Sequence, residues 1–270
     1  MTTGHAKLTT KVISVTSGKG GVGKTAVVAN LGICLARAGS KVLILDADLG
    51  LANIDVVFGL TPAHNLNHFF SGEVDLESIM VKGPYDIRIL PAGSGLQSFI
   101  QLQSDQKLKL LDGLDSLDID FDYLLIDTEA GISENVTYFN TAAQEILLVT
   151  TPDPTAITDV YALMKLLSTR YHEKHFNLVV NMVADENEAL DVYRKLSIVA
   201  NRYLDISIDY LGSIPTDKQM SEAIRKQHVI TELFPNSISA ASFNSLADRL
   251  AIMTTRRYPK GSVQFFWKQL

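Results

Sequence analysis

Ser17-Gly18-Lys19-Gly20-Gly21-Val22-Gly23-Lys24-Thr25 is the stretch on which the fold and chemistry of this chain turn. From Gly18 to Thr25 it fits the phosphate-loop pattern G-x-x-x-x-G-K-[ST]. An apolar run (Val12, Ile13, Val15) precedes it and a helix-like run from Ala26 to Arg37 follows, which is the strand–loop–helix context the motif needs. Gly18, Gly20, Gly21 and Gly23 let the backbone curl around Val22 until several N–H groups point at one anion. The helix that opens through Lys24, Thr25 and Ala26 adds the positive end of its dipole. Lys24 is expected to reach the outer phosphates, and the Thr25 hydroxyl to bind the magnesium ion they carry. The chain is therefore expected to bind a nucleoside triphosphate with Mg2+.

Working outward, the helix from Thr25 to about Ala38 ends at Gly39, and Lys41 to Leu45 makes a second strand that delivers Asp46-Ala47-Asp48 at its carboxyl end. Strand, loop, helix and strand form a βαβ unit with a right-handed crossover, and ligands of such sheets sit at the carboxyl ends of the strands. The expected fold is α/β: a single doubly wound, mostly parallel sheet with helices on both faces. Residues 12–255 form the ATPase domain, after a flexible N-terminus at residues 1–11. Further strands are expected at Ile87–Leu90, Tyr123–Ile126, Ala143–Thr150, Asn177–Val183 and Ile206–Leu211, and helices at Gln97–Leu114, residues 156–170 and Leu190–Arg202.

Two acidic clusters stand at strand ends. Asp46 and Asp48 are placed to help hold magnesium and to orient an attacking water, although acids there also serve as turn formers. Tyr123 to Ile126 ends in Asp127-Thr128-Glu129-Ala130-Gly131. A buried strand ending in aspartate, downstream of a phosphate loop, makes Asp127 a magnesium organiser, and Gly131 lets a backbone N–H approach the γ-phosphate. Asn181, near the end of a later strand, is either a strand-end cap or a base contact.

Composition narrows the classes. A net charge of −6 gives no whole-chain electrostatic footprint for nucleic acid, so none is expected as a direct partner. Cys34 is the only cysteine, which excludes a disulfide framework and the bridging thiolates of an iron–sulfur carrier, and suits a reducing cytosol. At the far end, Val263, Phe266, Trp267 and Leu270 fall at i, i+3, i+4 and i+7, with Arg256, Arg257, Lys260 and Lys268 around them. Residues 256–270 are expected to form an amphipathic membrane-targeting helix that meets the membrane surface through residues 261–270. The alternative is a terminal helix docked on the body.

Lys19-Gly20-Gly21-Val22-Gly23-Lys24-Thr25 resembles the deviant phosphate loop of the MinD/ParA ATPases. In that family the first lysine, here Lys19, crosses to the nucleotide of a facing subunit, which implies a homodimer with ATP between its halves. Asp46 to Asn53 is similar to the family's first switch, whose second aspartate, here Asp48, positions the water. The resemblance also assigns Asn181 to the adenine edge and Pro215-Thr216-Asp217 to its other side. The chain departs from the pattern at Glu129, where relatives carry a small residue or proline. A carboxylate facing a triphosphate is repulsive, so Glu129 is expected to face away from it. Asp46 to Asp55, Ala143 to Leu147, Thr155 to Lys165 and Gln264-Phe265-Phe266 resemble the flagellar-number branch of the family, the FlhG (FleN) type. That implies an FlhF-type GTPase, an AAA+ flagellar master regulator and flagellar switch proteins as partners. It also implies a cytoplasmic protein that is peripheral on the inner face of the membrane when ATP is bound. Cell-division and partitioning ATPases share the engine, and a nucleotide-binding protein without turnover is the remaining alternative.

Overall fold

A computed structural model describes residues 10–93, 101–253 and 264–266. The chain runs β1 (Lys11–Ser17), α1 (Lys24–Arg37), β2 (Val42–Ala47), α2 (Ile54–Val57), α3 (Leu66–Ser71), β3 (Val81–Lys82) and β4 (Arg88–Leu90). It continues with α4 (Ser104–Asp115), β5 (Tyr123–Ala130), α5 (Glu134–Ala142), β6 (Glu145–Thr150) and α6 (Pro154–Tyr171). The last part holds β7 (His175–Val183), α7 (Glu186–Leu204), β8 (Ser207–Pro215), α8 (Lys218–Arg225), α9 (Ile230–Leu233) and α10 (Ile238–Ile252).

The strands form one sheet in the order β3-β4-β2-β5-β1-β6-β7-β8, parallel throughout except for β3 against β4. Its middle strands are near-continuous apolar runs because both faces are covered. Alternate residues separate the faces. Ile13, Val15, Ile44 and Leu125 pack toward α1 and α10, while Val12, Leu43, Leu124 and Ile126 pack toward α3, α4 and α5. Beyond β1, Ile146, Leu148, Leu178 and Val180 pack toward α6 and α7. The chain builds outward from β1 in one direction through β2 and β4, then in the other through β6, β7 and β8. The point where it reverses, at the carboxyl ends of β1, β2 and β5, is where such sheets bind ligands. The phosphate loop lies there.

Most expected elements are present with shifted ends. Ile206–Leu211, read as a strand, and Ile214-Pro215, read as the start of its exit loop, fall largely in the single strand β8, which Gly212 crosses at φ 150, while Thr216 and Asp217 lie beyond its end. The helix expected over Gln97–Leu114 begins only at Ser104: Gln101 and Leu102 are not helical and Gln103 is its extended N-cap, while residues 94–100 lie outside the described residues.

Of the C-terminal segment, residues 264–266 are described. Phe265 and Phe266 are buried in the core with Gln264 beside them. Phe265 stacks on Phe139, meets Tyr138 edge-on and donates its N–H to Ala142 O at 3.1 Å. Phe266, assigned to the lipid-facing stripe, sits at φ 55, a left-handed conformation that ends any helix passing through it. The rest of the stripe (Val263, Trp267, Leu270) lies outside the described residues, as do residues 1–9 of the N-terminus expected to be flexible. Thr10 and Lys11 depart from that expectation, since both are buried and Lys11 opens β1 with Nζ bonding Leu250 O and Met253 O.

Candidate active site

The phosphate loop is held from outside. A Cβ on Gly18 would lie 2.2 Å from the backbone of Asp159 in α6, so only glycine lets that helix pack against the loop. Gly23 turns the chain at φ 91 into α1. The side chain of Asn181 reaches it there, with Nδ2 donating to Val22 O at 2.8 Å and Oδ1 accepting from Met182 N–H at 2.9 Å. Asn181 thus props the loop, and one amide hydrogen and one lone pair are already engaged. On the far side of β7, Thr216 N–H bonds Val183 O at 2.8 Å, Pro215 O accepts from the Ser239 hydroxyl, and Asp217 caps α8 through Gln219 N–H. These residues form a fixed wall beside Asn181.

Helix α1 starts with neither a side-chain cap nor an acid in its first turn. Its first N–H groups, from Lys24, Thr25 and Ala26, therefore suit an anion. Lys24 is buried, with Nζ donating to Ser17 Oγ at 2.8 Å. Burial lowers its pKa, opposed by the charges of Asp127, Asp48 and Glu129. Ser17 was not singled out from sequence, yet it organises the loop. Its hydroxyl accepts from Lys24 and donates to Lys19 O at 2.8 Å, and its carbonyl accepts the Gly131 N–H at 2.9 Å. Gly131, at φ 100, uses its N–H in that bond here. The available signal was only that Ser17 immediately precedes the motif.

Lys19 extends to the start of α6, where its Nζ bonds the Thr155 hydroxyl and lies 3.5 Å from Asp153 Oδ2. Asp153 also caps α6, and the Thr155 hydroxyl and the N–H groups of Thr155 and Ala156 hold its carboxyl down at about 2. Thr155 and Asp153 are functional neighbours that sequence reasoning left unassigned; the Asp-Pro-Thr cap was the signal.

Asp46 and Asp127 are direct partners across β2 and β5. Both Asp46 oxygens are taken up by backbone, accepting from Asp48 N–H (3.1 Å), Asn53 N–H (3.1 Å) and Ile54 N–H (3.2 Å). Asp46 thereby closes the loop that carries Asp48, as the turn-forming alternative describes. Burial first, then Asp127, raises its pKa against those bonds. Asp48 in turn accepts from Leu51 N–H at 3.0 Å. At Asp127, beside the Thr25 side chain, Oδ1 is buried with no partner. Burial pushes this carboxyl up to about 7, against the pull of Thr25 and Lys24, with Asp48 adding to the rise.

An orphaned buried carboxylate oxygen beside a threonine hydroxyl fits a magnesium ion. Among the described residues no three acidic, histidine or cysteine side chains cage a metal unaided. Magnesium that draws most of its ligands from phosphates and water does not need such a cage.

Glu129, expected to face away from the triphosphate, turns its carboxylate to the Ser133 hydroxyl at the N-cap of α5. Val15 pairs with Asp127 but Ser17 pairs with Ala130, so β5 carries an extra residue, and this bulge re-aims the strand tip. The Ser133 hydroxyl donates to Glu129 Oε1. Burial raises the Glu129 pKa, the Ser133 bond opposes it, and the nearby charges of Asp48 and Lys24 pull in opposite directions. The carboxylate stands among the site's parts.

The ParA family, described as NUBPL iron-transfer P-loop NTPase, matches residues 8–251. The antiactivator FleN of Pseudomonas aeruginosa is 41% identical over 260 residues, covering 96% of this chain and 93% of FleN. The flagellum site-determining protein YlxH of Helicobacter pylori is 35% identical over 274 residues, covering 97% of this chain and 90% of YlxH. Among solved structures, the septum site-determining protein MinD complexed with Mg-ADP from Pyrococcus horikoshii is similar with a TM-score of 0.75. It shares 27% identity and covers 90% of this chain and 96% of that one.

Proposed function

Because this chain belongs to the MinD/ParA family of P-loop NTPases, we propose that it is a slow ATPase that dimerises around ATP and acts as a switch in setting flagellar number and placement. The observation that carries the chemistry is the uncapped start of α1 beside a buried Lys24, with Asp127 Oδ1 left open next to Thr25. Thr25 and Asp127 would hold magnesium, with Asp46 fixing the adjoining loop from across the strand. Bound there, the ion would neutralise charge on the phosphates. Asp48, on the loop that Asp46 closes, is placed to orient the attacking water and accept its proton. Lys24 binds the outer phosphates in cis. Lys19 leaves Asp153 and Thr155 to serve the facing subunit's nucleotide, much as an arginine finger does. Leu51, Ile132 and Met182 stand exposed on the loops after β2, β5 and at the end of β7, which supports a second copy covering this face. Asn181, Pro215, Thr216 and Asp217 border the adenine.

The flagellar role rests on the likeness to FleN and YlxH. It brings an AAA+ flagellar regulator, an FlhF-type GTPase and flagellar switch proteins as partners of the ATP dimer. Attachment to the inner face of the membrane through residues 261–270 belongs to a state in which Phe265 and Phe266 leave the core. Burying each is worth about 1.5–3 kcal/mol, so the docked position is the resting one.

Turnover tests the enzyme against a nucleotide-binding protein without hydrolysis. Asp48→Ala should lower the ATP hydrolysis rate by about a hundred-fold or more while nucleotide binding persists. An unchanged rate would remove Asp48 from the mechanism.

A further inference from the structure

Glu129 has no role in the mechanism above, yet it is built into the site. It follows Asp127 at the tip of β5, and its neighbour Ala130 pairs with Ser17, the residue whose hydroxyl accepts from Lys24 Nζ. Ser133 holds it in place by donating to Glu129 Oε1 while accepting the Val136 N–H at 3.2 Å, so the N-cap of α5 anchors the carboxylate. Its charged neighbours are Lys24, which attracts it, and Asp48, which repels it. Lys24, whose Nζ bonds Ser17 Oγ, feels the charges of Asp127, Asp48 and Glu129.

A diphosphate fills the cradle at the start of α1. A triphosphate adds one more charged phosphoryl group on the side that Lys24 serves. Magnesium beside Thr25 would offset the charge of Asp127, whereas Glu129, bonded to Ser133, is not aligned with that pair. We propose that Glu129 is a fixed negative charge that disfavours the third phosphate and so sets the site's preference between triphosphate and diphosphate toward the diphosphate. This deepens the proposed function and rests on its nucleotide site. The ATP state, and with it the dimer, is then entered only where ATP is in large excess over ADP.

The test measures, at protein concentrations low enough to keep the chain monomeric, the affinities for ADP and for a non-hydrolysable ATP analogue, both with Mg2+. Glu129→Gln removes the charge and keeps the shape; Glu129→Asp keeps the charge. Removing one charge from a half-buried site predicts that Glu129→Gln shifts the ratio of the two affinities toward the triphosphate by roughly ten-fold. Glu129→Asp should stay near the parent ratio. An unchanged ratio in Glu129→Gln, or a shift toward ADP, overturns the proposal while leaving the nucleotide site intact. A parent protein that binds neither nucleotide overturns the underlying reading instead, and the two failures are told apart by the ADP titration alone.

Discussion

The tips of β2 and β5 carry almost the same three residues, Asp46-Ala47-Asp48 and Asp127-Thr128-Glu129, on adjacent strands with Asp46 facing Asp127. Their first carboxylates nevertheless do opposite things. Asp46 is satisfied by three backbone N–H groups from the loop that follows it, whereas Asp127 keeps a buried oxygen without a partner. The difference comes from the chain after each strand. Beyond β2 it folds back so that Asn53 and Ile54 point their N–H groups at Asp46. Beyond β5 it bulges, turns at Gly131 and carries its polar groups to Ser17 and to the cap of α5. One strand end is closed by its own backbone. The other keeps an unpartnered buried oxygen, a cost in buried charge that the proposed magnesium ion would offset.

Breaking the open end should have the largest effect. Asp127→Asn should abolish the additional thermal stabilisation that Mg2+ gives over nucleotide alone. It should also raise the melting temperature of the nucleotide-free protein at pH 8, because a desolvated carboxylate has been removed. Calorimetry with and without Mg2+ reads both; a magnesium effect that survived would place the ion elsewhere. Breaking the closed end is a matter of stability. Asp46→Ala leaves the buried Ile54 N–H without its acceptor and should cost about 1–3 kcal/mol in chemical denaturation, with magnesium dependence retained.

The smallest effect is a pH dependence that sharpens the same contrast. Asp127, raised to about 7 from an ordinary value of 3.8, binds a proton in the folded state through a window in which the unfolded chain has lost it. More protons on the folded form mean that its contribution to stability falls as pH rises from about 4 to 7. Asp46, also raised, adds to the same slope. Melting of the nucleotide-free protein across that range should show the decline, and Asp127→Asn should flatten it.

How much of this was legible follows from where the information sits in the chain. The phosphate loop is consecutive sequence, so Gly18 to Thr25 declared both the anion cradle and the central strand. The apolar strands declared the sheet, and a strand ending in aspartate declared Asp127. What was not legible depended on chain returning from a distance or on pairing with a neighbour. The N–H groups that close Asp46 belong to residues 53 and 54, and the orientation of Glu129 is set by a register shift against β1 that nothing in the sequence of β5 announces. At the other end, the spacing of Val263, Phe266, Trp267 and Leu270 imitates a lipid-facing stripe. Yet Phe265, which falls off that stripe, is fully buried beside Phe266. Two consecutive aromatics that are both buried do not fit one helical face, and periodicity counted only the members that agreed with it.

The central claim is that ATP, read by Lys19 across an interface, brings two copies together. Light scattering of the Asp48→Ala protein, first with ADP and then with ATP and Mg2+, tests it most directly. A monomeric mass with ADP that doubles with ATP, and that fails to double when Lys19→Ala is added, is the predicted result. A single unchanged mass with both nucleotides demonstrably bound would contradict the account and return Lys19 to its bonds with Asp153 and Thr155 as a purely local charge.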